Sequence, residues 1–263
     1  MSASEVLVTG GTGVLGSRVV ERLSSAGIEA RVLSRSGRYG TYKGDLLTGE
    51  GLDPAVHGAD AIIHCASSLF RKPRQIDVEG TERLLEAAAR AGVSHIVYIS
   101  IVGIDLASSY PYYRTKLETE WVIEGSPVPY TILRATQFYD LVLKSIRFLD
   151  RMPVMVVAKG FLGQPIDAGE VADRLVELAL SEPAGRARDV GGPEIRTLTD
   201  AVRGYFEVTG RRRKIFEVPL PGKTARAFRE GVLTCPDGTY GKIRWEEFLR
   251  GKVSPAEQKT SAA

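Results

Sequence analysis

Tyr112 and Lys116, in the stretch PYYRTKLETE, are separated by three residues. On a helix that spacing places both on one face. A lysine ammonium beside a phenol favours the phenolate and lowers the tyrosine pKa. Such a tyrosine can pass a proton to or from a substrate oxygen while a hydride moves at carbon. The pair therefore suits acid–base assistance of a redox step. The same spacing is common on ordinary exposed helices, so its meaning depends on the elements around it.

A second constellation opens the chain. VLVTGGTGVLGSRVV carries Gly10, Gly13 and Gly16 between a short apolar run and a helical pattern. Glycine there permits a tight turn and removes the Cβ that would block close backbone approach. The following helix offers free N–H groups and a positive dipole end to a pyrophosphate. Gly10, Thr12, Gly13, Leu15 and Gly16 are the candidate contacts. A strand then ends in LSRS, where an acid would bind the adenosine ribose of NAD and an arginine the 2′-phosphate of NADP. No Asp or Glu stands there; Ser34, Arg35 and Ser36 do, with Arg38 close behind. A guanidinium gives a phosphate charge-assisted hydrogen bonds, so the expected cofactor is NADP(H). Asp45 and Leu46, after the next short strand, stand where an adenine edge could be contacted; a plain turn aspartate is the alternative.

These residues need a scaffold. EVLVTG, EARVLSRS, GADAIIHCAS, SHIVYIS and PYTILRAT read as strands, alternating with helical patterns that stop at Gly27 and Gly92. Short strands joined by helices imply parallel strands with crossover connections, and continuous apolar runs imply cover on both faces. The expected fold is a Rossmann-type, doubly wound parallel sheet. After Gln137 the rhythm breaks into helical pieces and one strand, IFEVPLP. Residues 1–150 are expected to form the NADP-binding domain and 151–263 a smaller, mostly helical substrate lobe, partly interleaved with it. Tyr139, Phe148, Met152, Met155 and Phe161 are candidates for an apolar pocket, although such residues are mostly core. The tail SPAEQKTSAA reads as frayed.

Composition narrows the classes. A formal charge of +3 over 263 residues argues against nucleic acid or a membrane surface as partner. The one basic cluster, GRRRK from Gly210, reads as a solvated turn before a strand. Cys65 and Cys235 belong to no metal-ligand spacing, so no metal is expected, and isolated cysteines suit a reducing compartment. Without a secretory pattern or a bilayer-length apolar run, a soluble cytoplasmic protein with a small-molecule substrate is expected, as a monomer or homodimer. His64 reads as a buried, hydrogen-bonded residue near the cofactor.

Taken together, TGGTGVLG, HCAS, Tyr112-x-x-x-Lys116 and YTILRATQFYD resemble the short-chain dehydrogenase/reductase superfamily. With GQPIDAGEVADRLVELAL and VGGPE, they are similar to its atypical NAD(P)H-binding branch, related to nitrogen-metabolite-repressor-like and isoflavone-reductase-like proteins. The resemblance implies that Ala66 and Ser67 line the cofactor, that Lys116 also binds the nicotinamide ribose, and that Ala135, Thr136 and Phe138 flank the nicotinamide. It also calls for a serine that polarises the substrate oxygen. Ser100 is the first candidate and Ser108 and Ser109 are alternatives, but Ile101 follows Ser100 where the extended branch is serine-rich. The expected function is NADP(H)-dependent hydride transfer to or from a small, largely apolar carbonyl, enone or alcohol. Because the serine is in doubt, a non-catalytic NADP(H)-binding redox sensor is the rival.

Overall fold

The computed structural model describes residues 5–37, 41–69 and 71–253. Arg38 and the tail SPAEQKTSAA lie outside the described residues. In chain order the elements are β1 (Glu5–Thr9), α1 (Val14–Ser25), β2 (Glu29–Ser34), β3 (Tyr42–Lys43), α2 (Leu52–Val56) and β4 (Ala61–His64). A π-helical turn, Arg74–Val78, leads into α3 (Glu79–Ala91), followed by β5 (His95–Ile101), α4 (Pro111–Glu124), β6 (Tyr130–Ala135), α5 (Tyr139–Asp150), β7 (Met155–Ala158) and β8 (Leu162–Gly163). The remainder is α6 (Ala168–Ala179), β9 (Gly185–Arg186), β10 (Arg196–Thr197), α7 (Leu198–Thr209), β11 (Ile215–Val218), α8 (Lys223–Arg229) and α9 (Trp245–Lys252).

The chain divides into two compact units, Met1–Arg134 with Ala168–Arg188, and Ala135–Asp167 with Asp189–Ala263. The sequence draws its boundary at 150; the packing divides the chain after Arg134 and returns it to the first unit at Ala168.

In the first unit, seven strands among the described residues form one sheet in the order β3-β2-β1-β4-β5-β6-β9. The pairs β1–β2, β1–β4, β2–β3, β4–β5 and β6–β9 run parallel. Strand alternation sends Leu7, Ile62, Ile96, Tyr98 and Ile132 into one core with Leu84, Ala88 and Ile123 of α3 and α4. On the other face α1 and α6 pack on each other, and α6 lies against β4 and β5. This is the expected doubly wound α/β sheet. The chain leaves β1 toward β2 and β3 on one side and returns to β4 on the other. The C-terminal ends of β1 and β4 therefore flank the topological switch point, the place where such sheets bind ligands.

The second unit has its own core, built from α5, β7, α7 and α9 around Tyr139, Met155, Tyr205, Trp245 and Phe248. The Trp245 indole donates to Ala201 O at 2.9 Å and the Tyr139 hydroxyl to Ile243 O at 2.9 Å. The expected pocket of Tyr139, Phe148, Met152, Met155 and Phe161 does not assemble. Tyr139 and Met155 are spent on this core, whereas Phe148 and Met152 are exposed and Phe161 packs edge-on to Phe228. The GRRRK run is more anchored than a solvated turn: Arg211 and Arg213 both pair with the nearly buried Asp150 carboxylate.

Candidate active site

The glycine turn joins β1 to α1 with little room to spare. Gly10 has φ +68°, and a Cβ there would stand 2.7 Å from Ala66 N. A Cβ on Gly16 would stand 2.2 Å from Gly10 O. Side chains are excluded at both positions, so α1 starts directly against the turn. Gly13 caps α1 without a side-chain hydrogen bond, and the first turn carries no acid. Thr12 and Gly13 are exposed, leaving the first N–H groups of α1 open to an anion. Leu15 is buried, so only its backbone can face a ligand. This cradle fits the pyrophosphate of a dinucleotide.

A buried hydrogen-bonded chain fixes the end of β4 beside it. Ala66 N–H donates to Thr9 Oγ1 at 3.3 Å, and Thr9 Oγ1 lies 2.6 Å from His64 Nδ1. His64 Nε2 lies 2.9 Å from Thr81 Oγ1, which donates to the carbonyl of Asp77. Thr9 and Thr81 each have one hydroxyl proton, so the directions run from Thr9 to Nδ1 and from Nε2–H to Thr81. That assigns the neutral Nε2–H tautomer. Burial, with the Lys116 charge adding to it, brings the His64 pKa down to about 3, in keeping with the expected buried, hydrogen-bonded role.

Ser67 follows Ala66 and meets Tyr112. Ser67 Oγ is 3.0 Å from Tyr112 Oη and donates to Asp77 Oδ2 at 2.7 Å. Asp77 Oδ1 accepts Ser68 N–H at 2.8 Å. Burial holds the Asp77 carboxyl above its usual range, against the opposing pull of Lys116 and the hydrogen bonds from Ser67 and Ser68. Pro111 at the first turn starts α4 and sets Tyr112 at the helix entrance.

Two expectations are corrected here. Tyr112 and Lys116 do share a face of α4, but the ammonium does not activate Tyr112. Lys116 Nζ lies 4.2 Å from the Tyr98 ring centroid and donates to Ile99 O at 2.9 Å. The Tyr112 pKa is raised, by burial first and also by the charge of Asp77, rather than lowered. The helix carries Lys116 one turn deeper, where burial brings its own pKa to about 8. Ser100, expected to polarise the substrate oxygen, is buried, and the hydroxyl that meets Tyr112 is that of Ser67. Ser100 shares with Tyr98 the strand face that packs on α4. Burial alone would raise the Glu120 pKa; the hydrogen bonds from Arg134 carry it below the ordinary value.

The buried ammonium has a measurable consequence. Between about 8 and the ordinary lysine value of 10.5, the unfolded chain binds more protons than the folded one, so stability rises with pH across that window. Below it the cost of burying the charge is present in full. Lys116→Met is expected to raise stability at pH 7 by about 1–3 kcal/mol and to flatten the rise. Urea unfolding at pH 7, 8 and 10 measures both.

The remaining cofactor candidates divide between the units. Ser34 ends β2, and its Oγ lies 3.1 Å from Ser36 Oγ. Arg35 and Ser36 are exposed beyond it. The Asp45 carboxylate accepts Leu47 N–H at 2.9 Å, a local turn bond that leaves its other oxygen available. Leu46 is a core side chain, so any ligand contact there falls to its backbone. In the second unit Ala135 and Thr136 are buried, and the Thr136 hydroxyl is taken by Gln164 O. Phe138 caps α5. Asp77 is the site residue that the sequence reading missed. Its signal is present: Asp77 lies on the same helical stripe as Thr81, Leu84 and Ala88, all buried, and a carboxylate on an apolar stripe marks a site.

A glycine cradle at the switch point, linked through Ala66 and Ser67 to a tyrosine hydroxyl, defines a dinucleotide-binding α/β protein. Residues 10–182 match the NAD(P)H-binding family, and the chain belongs to it. Its fold is that of a short-chain dehydrogenase/reductase superfamily protein from Agrobacterium tumefaciens solved with bound NAD, which superposes with a TM-score of 0.72 at 22% identity, over 94% of this chain and 95% of that one. The chain is 27% identical over 267 residues to the photosystem II assembly factor Ycf39 of Trieres chinensis, covering 96% of this chain and 81% of that protein. It is 29% identical over 229 residues to a (4-alkanoyl-5-oxo-2,5-dihydrofuran-3-yl)methyl phosphate reductase of Streptomyces griseus, covering 81% of this chain and 77% of the reductase. The NADPH complex of the quinone oxidoreductase QOR2 from Escherichia coli superposes with a TM-score of 0.78 at 19% identity, over 94% of this chain and 99% of that one. Among the described residues no helix is long and apolar enough to cross a membrane.

Proposed function

We propose that the chain is an NADP(H)-dependent oxidoreductase acting on a small, largely apolar carbonyl, enone or alcohol. The observation that carries this reading is the continuity from cradle to hydroxyl: Gly10 abuts Ala66, Ser67 follows, and Ser67 holds Tyr112. When bound, the nicotinamide supplies or takes the hydride. The α1 N-terminus and the glycine turn hold the pyrophosphate, and Arg35 with Ser34 and Ser36 holds the 2′-phosphate. Lys116 would bind the ribose through a further N–H of its ammonium, beside the hydrogen bond it already makes to Ile99 O. Tyr112 gives or takes the proton at the substrate oxygen. Ser67 is the hydroxyl beside it, the place expected of Ser100.

The test is consumption of NADPH with cyclohexenone, benzaldehyde and menadione as acceptors. Oxidation well above the protein-free rate with at least one acceptor is expected. Tight NADPH binding without turnover favours the second reading, a cofactor-binding regulatory protein. The burial of Ser100 and the relatives named as assembly factors speak for that alternative.

A further inference from the structure

The hydrogen-bond chain from Tyr112 through Ser67 to Asp77 has a direction, and one proton decides it. Ser67 Oγ carries a single hydrogen. Given to Asp77 Oδ2 at 2.7 Å, it leaves Ser67 only lone pairs for Tyr112, 3.0 Å away on the other side. The phenol must then donate to Ser67, and its proton points away from a substrate. A protonated Asp77 reverses the chain: the acid donates to Ser67, Ser67 donates to Tyr112 Oη, and the phenol proton is free to turn outward.

We propose that Asp77 is a positioning residue whose protonation sets the direction of this chain and so decides whether Tyr112 acts as proton donor or acceptor. The proposal rests on the oxidoreductase reading and extends it. In reduction, the substrate carbonyl oxygen takes the proton of Tyr112 Oη as hydride reaches the carbon. The phenolate takes the Ser67 proton, Ser67 takes the Asp77 proton, and the carboxylate recovers one from solvent. In oxidation each transfer runs backward.

The surroundings suit a carboxyl that changes state. Asp77 is 2% exposed, and the π-helical turn that carries it is an irregularity frequent at functional sites. From α4 the Lys116 ammonium and the Tyr112 phenol act on it, and from β5 the Tyr98 phenol. From α3 comes the Thr81 hydroxyl, held by the Asp77 carbonyl. Burial favours the acid, with Lys116 opposing it, and the carboxyl is held above its usual range.

The chain can be read without turnover. In protein labelled with 13C at tyrosine Cζ, the Tyr112 resonance, assigned by its loss in Tyr112→Phe, is followed from pH 4 to 9. An inflection well below phenol ionisation is expected in the wild type. It should be lost in Asp77→Asn, whose amide donates permanently to Ser67, and in Ser67→Ala, which cuts the chain. A wild-type resonance flat below phenol ionisation, or an inflection that survives in Ser67→Ala, overturns the proposal. With an accepted carbonyl, wild-type kcat/KM for reduction is expected to fall about tenfold per pH unit above the same inflection. In Asp77→Asn, whose amide has no acid proton to pass to Ser67, that limb should disappear and kcat/KM should fall in both directions together, since the equilibrium constant fixes their ratio at each pH. A matching limb in Asp77→Asn contradicts the proposal. An NMR inflection in a protein that turns over no carbonyl leaves the hydrogen-bond chain standing and removes its catalytic use along with the oxidoreductase reading.

Discussion

Tyr112→Phe is expected to lower kcat/KM for carbonyl reduction by about 10²–10⁴-fold while leaving NADPH affinity and stability close to wild type. The substitution removes one oxygen and keeps the ring. Ser67 retains its hydrogen bond to Asp77, so no buried polar group is stranded. What is lost is the acid that Ala66 and Ser67 link to the cofactor turn. Burial and the Asp77 charge hold the Tyr112 phenol protonated, which suits a proton donor to a carbonyl better than a standing phenolate. Steady-state kinetics with NADPH and the best acceptor measures the effect. Full retention of activity would remove Tyr112 from the chemistry.

Gly16→Ala is expected to damage cofactor binding and fold together. The new Cβ would meet Gly10 O at 2.2 Å, Gly10 C at 2.7 Å and Gly11 Cα at 2.8 Å, all backbone atoms of the turn. Backbone cannot rotate aside as a flexible side chain can, so the turn must open or α1 must move out. Overpacking of this kind costs about 1–3 kcal/mol of stability. The displaced N–H groups should cost at least tenfold in NADPH affinity, about 1.4 kcal/mol. Gly13→Ala meets only Gly10 O, at 3.2 Å, and should be milder; Gly251→Ala, with open space at its position in α9, serves as the control. Urea unfolding and NADPH titration on the three variants give the ranking. Equal effects at Gly16 and Gly251 would contradict a close-packed cradle.

Much of the first unit was legible because its signals are local. Apolar runs broken by glycine gave β1, α1, β2, β4 and β5, and the glycines before α1 gave the cradle. The helix after β4 was legible except for its first turn, where the chain winds as a π-helix around Asp77. What sequence spacing cannot give is depth. Tyr112 and Lys116 were correctly placed on one face, yet that face runs inward, so Lys116 meets Tyr98 while Tyr112 meets Ser67. Ser100 failed for a related reason. A strand end does not reveal how deep along the neighbouring helix a residue packs: Ser100 is buried on the face toward α4, and Tyr112 meets Ser67 instead. Ser67 and Asp77 stand 45 and 35 positions before Tyr112 in the sequence, so no window of local pattern joins them to it. In the second unit the pocket candidates went separate ways: Tyr139 and Met155 joined a core of their own, while Phe148 and Met152 stayed exposed.

The most direct test of the central claim is calorimetric titration of NADPH and NADH into the wild type and Arg35→Asp at one fixed salt concentration. The expected result is NADPH at least tenfold tighter than NADH, about 1.4 kcal/mol, with the difference erased by Arg35→Asp. Binding of neither nucleotide to the wild type would contradict the account at its base.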